Sequence, residues 1–202
     1  MALNRPHELK SVLLTIFIFL FVFSLMSGFK PKLLSTLADK SSDNVSALVN
    51  KGLALDSSGN HAQAIQYYDM ALAIDPNDVD ALYNKGNALD SLGNHTQAIQ
   101  YYDKALAIDP NDFDALNNKG NALDSLGNHT QAISYYDKVL DMDPNDVDAL
   151  YNKGVALAHL GNYTQAISYY DKVMDINPND VDALNSKSNA LAHLRLPITT
   201  KK

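Results

Sequence analysis

The sequence predicts an all-α solenoid of stacked antiparallel helix pairs, preceded by a single hydrophobic N-terminal helix. Three observations carry this. A 34-residue pattern recurs along the chain with no residue inserted or lost between copies. Inside each copy, apolar residues fall at helical spacing between Gly and Pro breaks. Near the start, 19 consecutive residues pass without a charge. A fixed period of this length means that one supersecondary unit is copied, and that each copy hides its apolar face against its neighbour.

The repeat is plainest in VDALYNKGNALDSLGNHTQAIQYYDKALAIDPND (79–112) beside FDALNNKGNALDSLGNHTQAISYYDKVLDMDPND (113–146). Two further copies fill 45–78 and 147–180, and a fifth begins at Val181 and stops after one helix, 181–195. Each copy reads as a helical hairpin. Asp112 and Asp114 stand where the first helix starts, at the positive end of its dipole. Leu116, Ala122 and Leu123 form an apolar stripe, and Gly127 closes that helix because Gly tolerates a left-handed end. Asn128 or Thr130 is expected to cap the second helix, whose apolar face is Ala132, Ile133, Tyr136, Val139 and Leu140. Pro144 ends it. Gly120 and Ala132 are small where the two helices must meet closely. The fifth helix is expected to act as a polar cap, with Ser188 in place of the recurring Gly. Val49 and Leu53 are apolar where later copies carry Tyr or Asn, and are expected to pack under 31–42 or face a membrane.

Ahead of the repeats lie a short tail (1–10), the apolar run Ser11 to Phe29, and an expected linker (30–42); a tail (196–202) follows the last helix. At 1.5 Å per residue the run 11–29 just spans a hydrocarbon core of about 30 Å. It is apolar on every face, so it reads as a transmembrane signal anchor rather than a core helix. A cleaved signal peptide, which would release an exported soluble protein, is the rival; Leu25 and Met26 stand where cleavage prefers small residues. Arg5 and Lys10 on one side nearly balance Lys30, Lys32 and Lys40 on the other, so the positive-inside rule leaves orientation close to a tie. The exported side is preferred for the body, in a single-pass arrangement.

Composition narrows the chemistry. The chain has no Cys, which removes disulfides, thiolate catalysis and Cys-zinc sites. From Asp43 to Leu194 there are 21 Asp against 8 Lys and no Arg, a net charge of -13. That excludes nucleic acid as a partner, since phosphates demand clustered cations, and favours basic partners.

The length, helical phasing and marker residues together resemble the tetratricopeptide repeat. The markers are Gly86, Ala98, Tyr102, Ala105 and Pro110, with Leu82 as the large apolar residue of the first helix and Tyr68, Tyr136 and Tyr170 repeating the aromatic. One departure is consistent: Lys51, Lys85, Lys119 and Lys153 replace an apolar residue before the Gly, and their stems are expected to lie on apolar surface with the charge in water. The resemblance covers about 150 residues and implies a right-handed superhelix whose first helices line a concave groove for peptides or helices of partner proteins. The implied groove residues are Asn84, Asn118 and Asn152; Asn87 and Asn121; Asp80, Asp114 and Asp148; Asp90 and Asp124; and Tyr83, Asn117 and Tyr151. The Asn residues resemble the Asn ladder of sugar transferases that carry such superhelices, and an amide both donates to and accepts from a peptide backbone. Chaperone-binding members hold a terminal carboxylate with Lys and Arg; here the matching face carries Asp and Asn.

No phosphate loop, nucleophile motif or calcium loop is present, so no enzyme activity and no cofactor are expected. His61, His95 and His129 recur at 34 residues, as do His159 and His193, and they are expected to form a row about 8–10 Å apart rather than a metal cage. Asn44, Asn94, Asn128 and Asn162 head glycosylation sequons, with helix capping as the plainer role for the last three. The sequence therefore points to a membrane-tethered, non-catalytic scaffold that binds a protein or peptide. A self-assembling repeat protein, forming a homo-oligomer, is the alternative.

Overall fold

The computed structural model describes residues 31–195. They form nine helices: α1 (Pro31–Ser57), α2 (His61–Ile74), α3 (Val79–Ser91), α4 (His95–Ile108), α5 (Phe113–Ser125), α6 (His129–Met142), α7 (Val147–His159), α8 (Tyr163–Ile176) and α9 (Val181–Arg195). There is no strand among the described residues. Four hairpins and a final single helix reproduce the expected repeats. The apolar run 11–29 and the tail 196–202 lie outside the described residues. Within the described residues no helix is long and apolar enough to cross a membrane.

Short-range chemistry sets the helix ends. Asp78, Asp112 and Asp146 accept hydrogen bonds from the backbone N–H of Ala81, Ala115 and Ala149 at 2.7, 2.9 and 2.7 Å, and Asp180 repeats this with Ala183 at 2.8 Å. Gly93, Gly127 and Gly161 turn the chain between hairpin arms with φ of +77° to +78°, a region closed to most side chains. Asn94, Asn128 and Asn162 do occupy the N-cap of the second helices, but their side chains make no capping bond, contrary to expectation. The turn satisfies those N–H groups from the Asn backbone carbonyl instead, as in Gln131 N–H to Asn128 C=O at 3.0 Å.

The core is built from one contact copied four times. A Cβ placed on Gly52, Gly86, Gly120 or Gly154 would fall 2.4–2.6 Å from the ring of Tyr68, Tyr102, Tyr136 or Tyr170. The ring thus lies against bare backbone of the facing helix. Around each ring sit fully buried Ala side chains, such as Ala98 and Ala105, or Ala132 with Val139. Each second helix packs on the first helices to either side of it, and α3, α5, α7 and α9 also approach one another. Second helices do not approach one another in this way, so the first helices line the inner face of the stack.

Several expectations need correction. The supposed linker is helical, part of Pro31–Ser57, and no Pro interrupts it after Pro31. Val49 joins the core with Ala64, Tyr68 and Ala71, while Leu53 stays exposed. The last helix is not a fully polar cap. Leu184 is 55% exposed, whereas its equivalents Leu82, Leu116 and Leu150 are 2% exposed beneath a second helix.

Lys51 is exposed, but the next three recurring Lys residues do not extend freely into water. Lys85 and Lys119 are buried. The Lys85 ammonium donates to Asp69 of the preceding repeat and, at 2.7 Å, to Tyr101 Oη of its own repeat. Lys119 does the same with Asp103 and Tyr135, and Lys153 pairs with Asp137. Lys85 and Lys104 lie 4.2 and 4.4 Å from the Tyr101 ring centroid, a pattern kept at Tyr135 and Tyr169. Lys85 and Lys119 are struts, each tying three helices of two repeats together.

These struts and rings set an alkaline limit. Burial pulls the Lys85 and Lys119 ammonium groups down, but the hydrogen bonds they donate to Asp69 or Asp103 and to the Tyr hydroxyls outweigh it and hold both above the ordinary lysine value. Their stabilisation is complete below the unfolded value of about 10.4 and is lost as pH rises through the folded values. Burial raises Tyr68 and Tyr170 to about 12, and raises Tyr102 and Tyr136 further. The fold keeps these phenols neutral, so their contribution also fades above the unfolded value of about 10. The thermal midpoint should therefore be flat between about pH 7 and 9 and fall steeply above about pH 10. Circular-dichroism melts across that range check it, and a midpoint unchanged at about pH 11 would contradict it.

Candidate peptide groove on the inner face

The groove residues expected from the sequence separate into two groups once their partners are visible. Asn87 and Asn121 are framework. Tyr102 Oη donates to Asn87 Oδ1, and Tyr136 Oη to Asn121 Oδ1, both at 2.8 Å. These amides satisfy the one polar atom of each buried ring. Asn118 bridges repeats: its Nδ2 donates to Tyr83 Oη at 2.9 Å and to Asn87 Oδ1 at 3.0 Å. Asn84 Nδ2 donates to the Asp80 carbonyl of its own helix at 2.8 Å. Asn117 Nδ2 makes a long bond of 3.4 Å to Asp146 Oδ1, and its Oδ1 is buried without a partner. The even ladder of free amides is therefore not what this face presents.

Asp90 and Asp124 are also engaged. Each accepts from a His at the start of the next helix, His95 Nδ1 at 2.7 Å and His129 Nδ1 at 2.6 Å. The second group remains available. Asp80, Asp114 and Asp148 are exposed in the first turns of α3, α5 and α7. Asn152 makes no side-chain hydrogen bond to described residues, and Tyr83 and Tyr151 are half-buried, their rings tilted against Tyr102 and Tyr170 at 6.2 and 5.9 Å.

Two concave surfaces result. One cleft of ≈ 470 Å³ runs between the last two repeats, lined by Tyr151, Val155, His159, Tyr163, Ser186 and Asn189 among others. Among its lining residues are two that deviate from the consensus, Val155 for Asn121 and Tyr163 for His129. The other, of ≈ 660 Å³, lies between the second helices of repeats one and two, bordered by Leu72, Pro76, Tyr101 and Ile108. Reasoning from sequence found neither, because both depend on the register of neighbouring repeats.

The His residues do not form a simple row either. His159 is not the repeat equivalent of His129, and the two rings lie 4.6 Å apart with Asp124 beside both. The sequon residues Asn44, Asn94, Asn128 and Asn162 are all exposed.

Repeat one supplies a natural test of the Tyr–Asn pair. Leu53 replaces the Asn there, and the buried Tyr68 hydroxyl has no partner. Asn121→Leu should reproduce this and cost about 1–3 kcal/mol by orphaning Tyr136 Oη. Adding Tyr136→Phe should recover most of that, because both polar partners are then gone. Urea unfolding of the two single variants and the double variant measures it; strict additivity would show that the bond is idle.

Family models described as tetratricopeptide repeat match residues 45–78, 79–112 and 117–181, well over half of the chain. No curated protein matches it. Among solved structures the chain is similar to MamA, at 24% identity over 76% of this chain and 84% of that one, with a TM-score of 0.69. It is also similar to pilF of Pseudomonas aeruginosa, at 24% identity over 77% and 71% of the two chains, with a TM-score of 0.69. The first tetratricopeptide domain of Spaghetti (RPAP3), solved bound to the HSP90 peptide SRMEEVD, matches 57% of this chain and 92% of its own at 24% identity, TM-score 0.56. At such identity these structures speak for the fold alone. On the family models, with the helix pairs and the Gly–Tyr contact of every repeat, the chain belongs to the tetratricopeptide-repeat family.

Proposed function

We propose that this chain is a non-catalytic scaffold whose inner face receives a protein or peptide segment bearing basic residues. The observation that carries this is charge. Asp80, Asp114 and Asp148 stand exposed along the first helices, while Lys85, Lys119 and Lys153 are taken up by Asp and Tyr partners. The peptide bound by the Spaghetti domain is acidic at its end; the face here favours the opposite sign. The cleft beside Tyr151 and Tyr163 adds an apolar site for an anchoring side chain.

The run 11–29 supports tethering of this scaffold to a membrane as a single-pass protein, the repeats on the exported side, where Asn44, Asn94, Asn128 and Asn162 could carry glycans. Release of an exported soluble form by cleavage is the rival. Self-association is a second reading. It is favoured by the exposed apolar edge of α9, where Leu184 lacks the second helix that covers its equivalents Leu82, Leu116 and Leu150.

Crosslinking in native membranes followed by pull-down tests the binding reading. Asp80→Asn, Asp114→Asn and Asp148→Asn combined should reduce partner recovery about threefold to a hundredfold, three exposed charge contacts being worth a few tenths to 1 kcal/mol each. Raised salt should act in the same direction. Undiminished recovery in the triple variant would remove the acidic face from the account. In the same extracts the full chain should stay with the membrane through an alkaline wash, and a variant lacking 11–29 should not.

A further inference from the structure

We propose that Asp124, His129 and His159 form a site for a divalent transition metal of the zinc class, at the junction of the third and fourth repeats. Asp124 lies in the last turn of α5, His129 opens α6, and His159 ends α7. His129 Nδ1 is 2.6 Å from Asp124 Oδ1, and His159 Nδ1 is 3.3 Å from Asp124 Oδ2. Ligand atoms of all three residues lie within 4.8 Å of one another. Bonds of about 2.0–2.2 Å to a tetrahedral ion place ligand atoms roughly 3.3 Å apart. Only small side-chain rotations separate the present arrangement from that one. The side chains of Asp124 and His129 are 16% and 22% exposed and hold position, while that of His159, 50% exposed, is free to swing in.

The other repeats argue that the third ligand matters. Asp56 with His61 and Asp90 with His95 make the same pair at 2.6 and 2.7 Å. The pair is thus part of the hairpin turn and needs no ion. The position that completes it is Ser91 in one case and Ser125 in the other; at the third junction a His, His159, stands there beside an intact pair. At the fourth junction Ala158 and Tyr163 replace the pair, and Tyr163 stacks on His193 at 4.6 Å. So the repeat assembles two imidazoles and a carboxylate once.

That ligand set prefers zinc, nickel, cobalt or copper over calcium or magnesium. Three protein ligands leave a coordination position for water or a partner's donor atom. His159 also lines the cleft of the last two repeats, so the ion would border the place where an anchoring side chain docks. It would also clamp α7 to the turn of the preceding repeat.

The test uses the full chain in detergent, purified without a histidine tag, and zinc ion alone as the probe. Titration calorimetry should find one zinc equivalent, and cobalt in its place should give visible absorption of a low-symmetry site. His159→Ser, which restores the residue found at the other junctions, should weaken zinc at least tenfold. His95→Ala should leave the equivalent untouched. Ser125→His should create a second equivalent with Asp90 and His95. No equivalent binding tighter than about 1 mM, or one that survives His159→Ser, would overturn the proposal.

Discussion

The whole stack depends on one steric constraint: a tyrosine ring occupying the space where a Cβ would otherwise be. With Gly86, Gly120 and Gly154 bare, the second helix comes close enough to lay Tyr102, Tyr136 and Tyr170 on the backbone of the first. Close approach removes a large aromatic face from water, and it leaves the ring's hydroxyl to be satisfied. Asn87 and Asn121 do that from the first helix. A residue that looks like a ligand contact is in this way part of the hydrophobic core. The small Ala and Val residues around each ring follow from the same spacing, which leaves little room between helices held so near.

Electrostatics follows from the packing. A body with 21 Asp and 8 Lys repels itself unless its few cations are well placed. Burying Lys85 and Lys119 between an Asp of one repeat and a Tyr of the next puts each cation where it joins neighbours. The consequence for function is a surface whose uncompensated charge is nearly all negative and concentrated on Asp. The inner face inherits that sign along Asp80, Asp114 and Asp148 while the struts hold the helices that carry them.

Much of this was legible before any coordinates. The period, the Gly turn at Gly127, the stop at Pro144 and the Asp caps are local, and local signals survive in a sequence. What was not legible crosses between repeats. The strut from Lys85 reaches 16 residues back to Asp69 and 16 forward to Tyr101, and only the stacking register shows that these meet. The amides of Asn87 and Asn118 look alike in a repeat alignment yet serve a ring and a bridge. The meeting of His129 with His159 was not legible because equivalents 34 residues apart are far from one another, whereas these two, 30 apart, are neighbours. The helix from Pro31 was missed because polar residues such as Ser41, Ser42 and Asp43 read as a connection.

If neighbour-on-neighbour burial is the source of stability, protection must be greatest where a repeat is covered on both sides. Native-state hydrogen exchange on the intact chain measures this directly. The amides of α4 and α6, which carry Tyr102 and Tyr136, should exchange slowest. Those of α9, with Leu184 uncovered, should exchange fastest among the helices from α2 onward. Protection of α9 equal to that of α6 would contradict stacking as the force that holds the solenoid together.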